Sequence, residues 1–253
     1  MNEDSLLRKL PLEATIDIWR IDLDSESNSG LNLDEILSTE ERNRAERFLF
    51  PRDAFRFRFC RAMLRLGLAL YLQETPQKIA LATNRHGKPR LADSSALHFN
   101  VTHSDGLGLI AFTRVGEVGI DVEAVQRDVE ALDIASAHFT RNETALIAAA
   151  QKPQEQTRIF LRLWTRKEAV LKAAGCGILR GLNTVDVSEQ PVSLVRLGGA
   201  PEETTGDCWR VQDLEQIDGF AGAVAALPGD WSILQRCVRY EDAINGLGAS
   251  FHG

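Results

Sequence analysis

Alternation and helical periodicity divide this chain before any motif is sought. Residues 14–22 (ATIDIWRID) alternate apolar and polar side chains and predict a strand. From residue 33 the period becomes helical, and Ser38-Thr-Glu-Glu41 has the Ser-x-x-Glu form of a capping box. The helical pattern continues, with a break expected at Pro51 and resumption through residues 53–71. Three strands follow, at 97–104 (LHFNVTHS), 107–114 (LGLIAFTR) and 118–125 (VGIDVEAV); the short turns between them predict an antiparallel meander. In the third strand Ile120 and Val122 face one way, Asp121 and Glu123 the other. A second helical block spans 133–150, with Thr140 and Glu143 as a cap-like start, and a long helix covers 155–174 before Gly175-Cys-Gly177. Strand-like segments recur at 184–187, 192–197, 208–214 and 220–227, and the tail beyond Pro228-Gly229 has little pattern. Helix-then-strands thus occurs twice, divided near 115–118. This reads as an α+β chain with lobes at 1–116 and 117–230 and a tail at 231–253.

The long second helix contains the stretch Trp164–Lys172, WTRKEAVLK. Phe160, Leu163, Trp164, Leu171 and Ala174 form its apolar stripe, and Glu168 and Lys172 stand one turn apart on the flank. Lys167 falls inside the stripe. It must snorkel outward or meet an anion, because an unpaired buried ammonium is very costly.

Charge and cysteine content narrow the function classes. Across 253 residues the net charge is −7, which argues against general nucleic-acid binding but leaves room for a local basic pocket. Eight arginines (Arg42, Arg44, Arg47, Arg52, Arg56, Arg58, Arg61 and Arg65) crowd the first helical region. Most belong on solvated faces, while any that face a cleft would suit phosphate. Cys60, Cys176, Cys208 and Cys237 show neither a CxxC pair nor metal-ligand spacing, so a reducing compartment is expected. With no signal-like N-terminus and no membrane-length apolar run, the expected location is cytoplasmic, away from membranes.

Three stretches, Phe99-Asn-Val-Thr-His-Ser104, Val118-Gly-Ile-Asp-Val-Glu123 and Trp164-Thr-Arg-Lys-Glu-Ala-Val-Leu-Lys172, resemble in order and spacing the Sfp-type 4′-phosphopantetheinyl transferases. The second and third look like that family's Gly-Ile-Asp-x-Glu and Trp-x-x-Lys-Glu-x-x-x-Lys signatures. The resemblance extends through Glu40-Glu-Arg-Asn-Arg44, residues 48–54 and Gly87-Lys-Pro89, covering about residues 34 to 227. Thr102 stands where serine is common, and Ala169 where serine is frequent; threonine keeps the hydroxyl.

The resemblance implies a fold of two similar lobes in pseudo-twofold arrangement, with coenzyme A between them. It implies transfer of the phosphopantetheine arm of coenzyme A to a serine of an acyl or peptidyl carrier protein, releasing 3′,5′-ADP. Asp121, Glu123 and Glu168 would bind Mg²⁺, with Mn²⁺ as an alternative. Such a reaction needs charge neutralisation at a pyrophosphate, and three carboxylates suit a hard cation. Asp121, Glu168 and Lys172 would be catalytic, with Lys172 also on the pyrophosphate. Arg44, Lys88, Thr102 and His103 would join Asp121 and Lys172 around coenzyme A. Carrier docking is expected near residues 176–187, which carry Ile178, Leu179, Arg180 and Leu182, and a monomer is expected. Two other readings stay open: a catalytically silent protein that binds coenzyme A or carrier, and a metal-dependent phosphohydrolase. The sequence does not choose between site and surface for Arg47, Arg56, Arg85 and Arg90, and gives His86, His98 and His138 no role.

Overall fold

The computed structural model describes residues 14–28, 30–93, 96–126, 129–177, 181–189, 194–197 and 208–251. Its strands are β1 (Thr15–Asp22), β2 (Leu81–Thr83), β3 (Pro89–Leu91), β4 (His98–Ser104), β5 (Leu107–Thr113), β6 (Val118–Ala124), β7 (Val195–Arg196), β8 (Cys208–Asp213), β9 (Phe220–Ala226) and β10 (Ser232–Cys237). Its α-helices are α1 (Thr39–Ala45), α2 (Pro51–Leu72), α3 (Ala131–His138), α4 (Arg141–Ala149), α5 (Pro153–Ala174) and α6 (Tyr240–Phe251). The class is α+β, as expected. Among the described residues no helix is long and apolar enough to cross a membrane.

The expected meander is corrected. β4 and β5 do pair antiparallel, but β6 leaves them and pairs with β9 in a second sheet. One sheet runs β10-β1-β5-β4 and the other β6-β9-β8-β7, with β2-β3 as a separate hairpin. β5 cannot accept β6, because its edges are taken by β1 and β4 and its residues from Gly108 to Thr113 are all buried. The link between β5 and β6 steps between sheets, with Gly116 at φ +126°. Ile16, Ile18, Leu109 and Ala111 of the first sheet pack against Val118, Ile120, Val122 and Val224 of the second. α2 covers the outer face of the first sheet through Phe59, Met63 and Leu66, and α5 that of the second through Leu163, Val170 and Leu171.

The two long helices are fixed by buried ion pairs. Each starts with proline in its first turn, where the missing N–H costs nothing. Each is preceded by a short helix with a complete capping box, Ser38/Glu41 and Thr140/Glu143. The capping glutamates then reach the long helices. Glu41 accepts from Arg65 Nε at 2.6 Å, and Glu143 Oε2 lies 2.7 Å from Lys167 Nζ with both side chains fully buried. Arg65 also donates to the carbonyls of Pro76 and Ile79, and Lys167 to those of Leu182 and Val185. Lys167 therefore takes the second of its two options, an anionic partner.

The tail is more ordered than its sequence pattern. β10 adds parallel to β1, and α6 packs on α2. Arg236 of β10 donates to Asp17 Oδ1 at 3.0 Å, and Tyr71 of α2 donates to Asp17 Oδ2 at 2.5 Å. A single buried carboxylate so ties the tail to the first sheet. The strand-like segment expected at 184–187 forms no strand, its start being a short 3₁₀ turn at Leu182–Thr184.

Lys167→Met is expected to lower unfolding stability by about 3–5 kcal/mol, because it strands the Glu143 carboxylate in the core. Adding Glu143→Gln should recover part of that loss, as read by urea denaturation of the single and double variants.

Candidate active site

The free edge of β6 meets side chains rather than another backbone. On β4 the alternate residues Asn100, Thr102 and Ser104 are all buried and turn toward that edge. Ile120 N–H donates to Asn100 Oδ1 at 2.9 Å, and Ala124 N–H donates to Ser104 Oγ at 3.1 Å. The hydroxyls act in turn on the strand's acids: Thr102 donates to Asp121 Oδ1 at 3.1 Å and Ser104 to Glu123 Oε2 at 3.0 Å. Sequence reasoning named Thr102 but missed Asn100 and Ser104. The available signal was a run of small polar residues at i, i+2 and i+4 on a strand face that packing would otherwise make apolar.

α5 lies directly against β6 because residue 119 is glycine. A Cβ there would sit 2.0 Å from the Ala169 carbonyl oxygen and 2.3 Å from the Ala173 nitrogen. That approach brings the flank of α5 to the acids. Lys172 Nζ reaches Asp121 Oδ1 at 2.5 Å, and Thr102 Oγ1 and the Ile120 carbonyl at 3.3 Å. Glu168, one turn earlier, is 7% exposed.

The acids here are short of partners. Asp121 Oδ2 and Glu168 Oε1 are both buried with no hydrogen bond. Burial, then the neighbouring Asp121 carboxylate, pushes the Glu168 pKa up to about 7. Burial likewise raises Asp121, against the pull of Lys172. Among the described residues no three His, Cys, Asp or Glu side chains form a closed metal cluster. The donor chemistry nevertheless fits a hard divalent cation: all-oxygen ligands, two orphaned oxygens, and mutual repulsion that a cation would relieve.

A cleft of about 420 Å³ adjoins this seam, lined by Phe48, Asp53, Arg56, Phe57, His103, Ser104, Asp105 and Glu123. Desolvation, then the charges of Lys172 and Arg56, hold the His103 pKa below its ordinary value, so the imidazole is disposed to be neutral. Arg56 is held by a two-point pairing with Asp24. Phe48 is shared with a second, more open cavity of about 640 Å³ bounded by Glu40, Asn43, Arg44 and Arg47. Arg44, Arg47 and Arg56 therefore face cavities, whereas Arg85 bonds His86 and Arg90 bonds the Leu91 carbonyl, and neither lines these two cavities. Lys88 is engaged within the protein, donating to Glu117 Oε2 at 2.5 Å and to the carbonyls of Val118 and Ala173 at 3.1 Å. Ile178, Leu179 and Arg180 lie outside the described residues. Leu182 is buried in the core beside Val185 and Val187, which removes it from any docking surface.

Residues 117–227 match the 4′-phosphopantetheinyl transferase superfamily, and residues 27–114 match the N-terminal region of 4′-phosphopantetheinyl transferases. The chain is 34% identical over 223 residues to the 4′-phosphopantetheinyl transferase HetI of Nostoc sp. (strain PCC 7120), covering 87% of this chain and 91% of that protein. The chain belongs to the 4′-phosphopantetheinyl transferase superfamily. It is also 28% identical over 208 residues to the 4′-phosphopantetheinyl transferase Sfp of Bacillus subtilis (strain 168), covering 82% of this chain and 90% of Sfp. In this phosphopantetheinyl transferase residues 27–114 supply β4 and the arginine-lined cavity, and residues 117–227 supply β6 and α5.

The Glu168 pKa sets a pH dependence. A carboxyl whose folded pKa is raised from 4.5 to about 7 adds stability below its unfolded pKa, and that stability is lost as pH climbs through 7. In chelator, the transferase should lose up to about 3 kcal/mol of unfolding stability between pH 4.5 and 7.5 from this group. Glu168→Gln should flatten that slope in urea titrations.

Proposed function

We propose that this phosphopantetheinyl transferase moves the 4′-phosphopantetheine arm of coenzyme A onto a serine of an apo acyl or peptidyl carrier protein. The observation that carries the reading is the pair of buried, unpartnered oxygens, Asp121 Oδ2 and Glu168 Oε1, with Lys172 on Asp121 and Glu123 of the same strand lining the arginine-bearing cleft. A polyanionic substrate with a reacting pyrophosphate calls for that combination.

In this reading Asp121, Glu123 and Glu168 hold Mg²⁺, or Mn²⁺ in its place. The cation, when bound, supplies charge neutralisation at the pyrophosphate. The carrier serine Oγ attacks the β-phosphorus of coenzyme A; the Oγ–P bond forms and the P–O bond to adenosine 3′,5′-bisphosphate breaks. Glu168 is the candidate acceptor of the serine proton, a role that competes with cation binding, because a bound dication lowers a carboxylate's pKa and makes it a poorer base. Lys172 exchanges part of its contact with Asp121 for a pyrophosphate oxygen and His103 hydrogen-bonds the phosphates, while Thr102, whose one hydroxyl proton goes to Asp121 Oδ1, acts by holding that carboxylate. Arg44 binds the nucleotide phosphate, a role its position on the open cavity supports. Lys88 shares that end of the ligand only by loosening its bond to Glu117.

The finer architecture belongs to the same reading. Ser38/Thr140, Glu41/Glu143, Pro51/Pro153 and Arg65/Lys167 keep identical spacings, which supports two similar lobes at 1–116 and 117–230 related by a pseudo-twofold axis. Both sides of the cleft come from one chain, so a monomer suffices. Carrier docking is proposed for residues 176–187, the segment that follows α5 in the sequence, with the buried Leu182, Val185 and Val187 excepted.

The test is mass spectrometry of an apo carrier incubated with the protein, coenzyme A and Mg²⁺, where a gain of one phosphopantetheine unit is expected. Glu123→Gln should recover much of its rate at saturating Mg²⁺, since it loses a ligand. Glu168→Gln should remain slower by about 10²-fold or more. Equal rescue of both variants would make Glu168 a ligand only, and cleavage of coenzyme A without carrier modification would favour a phosphohydrolase.

A further inference from the structure

Ser104 has no part in the transfer chemistry just described, yet its hydroxyl is committed on two sides. The residue is 8% exposed, and its hydroxyl accepts from Ala124 N–H at 3.1 Å and donates to Glu123 Oε2 at 3.0 Å. The amide can only donate, so the single hydroxyl proton is left for the carboxylate. The direction of the Ser104–Glu123 bond is therefore fixed by the backbone of β6 itself.

The same device appears two residues earlier. Thr102 Oγ1 accepts a hydrogen bond from Lys172 Nζ at 3.3 Å and donates one to Asp121 Oδ1. Two hydroxyls at alternate positions of β4 thus engage two carboxylates at alternate positions of β6, each holding one named oxygen. For Asp121 this leaves Oδ2 as the buried oxygen without a partner. Glu123 has an extra torsion and is only half-buried, so it has more rotational freedom to lose when a cation is bound. A ligand that is already held gives up less entropy on binding.

We propose that Ser104 is a positioning residue for divalent-cation binding, holding the Glu123 carboxylate in its binding orientation across the seam between β4 and β6. The proposal rests on the reading of Asp121, Glu123 and Glu168 as the cation site. Groups that orient ligands in this way are worth about 10–100-fold in metal affinity.

Mn²⁺ binding, followed by loss of the free-ion electron paramagnetic resonance signal, tests this without reference to turnover. Ser104→Ala should raise the Mn²⁺ Kd by about 10-fold or more, whereas Ser104→Thr, which keeps the hydroxyl, should stay within about threefold. In a Glu123→Gln background the alanine substitution should add less than about twofold, because its target is already lost. An unchanged Kd for Ser104→Ala, or the same weakening in both backgrounds, would overturn the proposal and leave the cation site standing. No Mn²⁺ binding by the unaltered protein, or none of it sensitive to Glu123→Gln, would overturn the cation site and the proposal with it. The isosteric pair Ser104→Thr and Ser104→Val makes the same comparison if the alanine variant does not fold.

Discussion

The site depends on how the free edge of β6 is satisfied. A strand edge normally pairs with backbone or is left to water. Here Asn100 and Ser104 accept its amides through their side chains, while Thr102 and Ser104 turn their protons to Asp121 and Glu123. This stitching joins two sheets without merging them. It also leaves room beside the edge, since side chains and not a neighbouring main chain fill the gap. A continuous ladder from β4 to β6 would have closed the position where Lys172 reaches Asp121.

Around that seam the fold assembles an arrangement that is costly by itself. Gly119 lets α5 approach β6 closely enough for Glu168 and Lys172 to join Asp121. Three acids and one lysine then share a largely buried space, where burial first and the neighbouring carboxylates after it raise the pKa values of Asp121 and Glu168. The rest of the chain resists the repulsion among them. Lys167, adjacent in sequence to Glu168, is anchored through Glu143 and two carbonyls and holds the helix in place. Its counterpart Arg65 anchors α2, which carries Arg56 to the cleft wall.

Much of this was legible in the sequence where local rules dominate. The capping boxes at Ser38 and Thr140, the helix break at Pro51, Gly175 at the end of α5 and the strands β4, β5 and β6 all follow from short-range chemistry. The need for an anion at Lys167 was also readable, although its identity, Glu143, was not. What escaped was long-range. No local signal tells β6 to leave β5 for β9, because that outcome is set by β1 taking the open edge of β5. β10 looked patternless, since its pairing is fixed by Arg236 and Asp17 far apart in the chain. Leu182 and the strand face of Ser104 were misjudged or passed over for a related reason: burial of a single residue depends on what folds over it.

The central claim is that the seam presents Asp121 Oδ2 and Glu168 Oε1 to one divalent cation while the hydroxyls of Thr102 and Ser104 keep their hold on Asp121 and Glu123. Anomalous diffraction from crystals grown with coenzyme A and Mn²⁺ addresses it directly. The account predicts one manganese peak bonded to both of those oxygens, with the Thr102–Asp121 and Ser104–Glu123 hydrogen bonds intact. A peak bonded to neither oxygen, or a bound cation with the two seam hydrogen bonds broken, would contradict it.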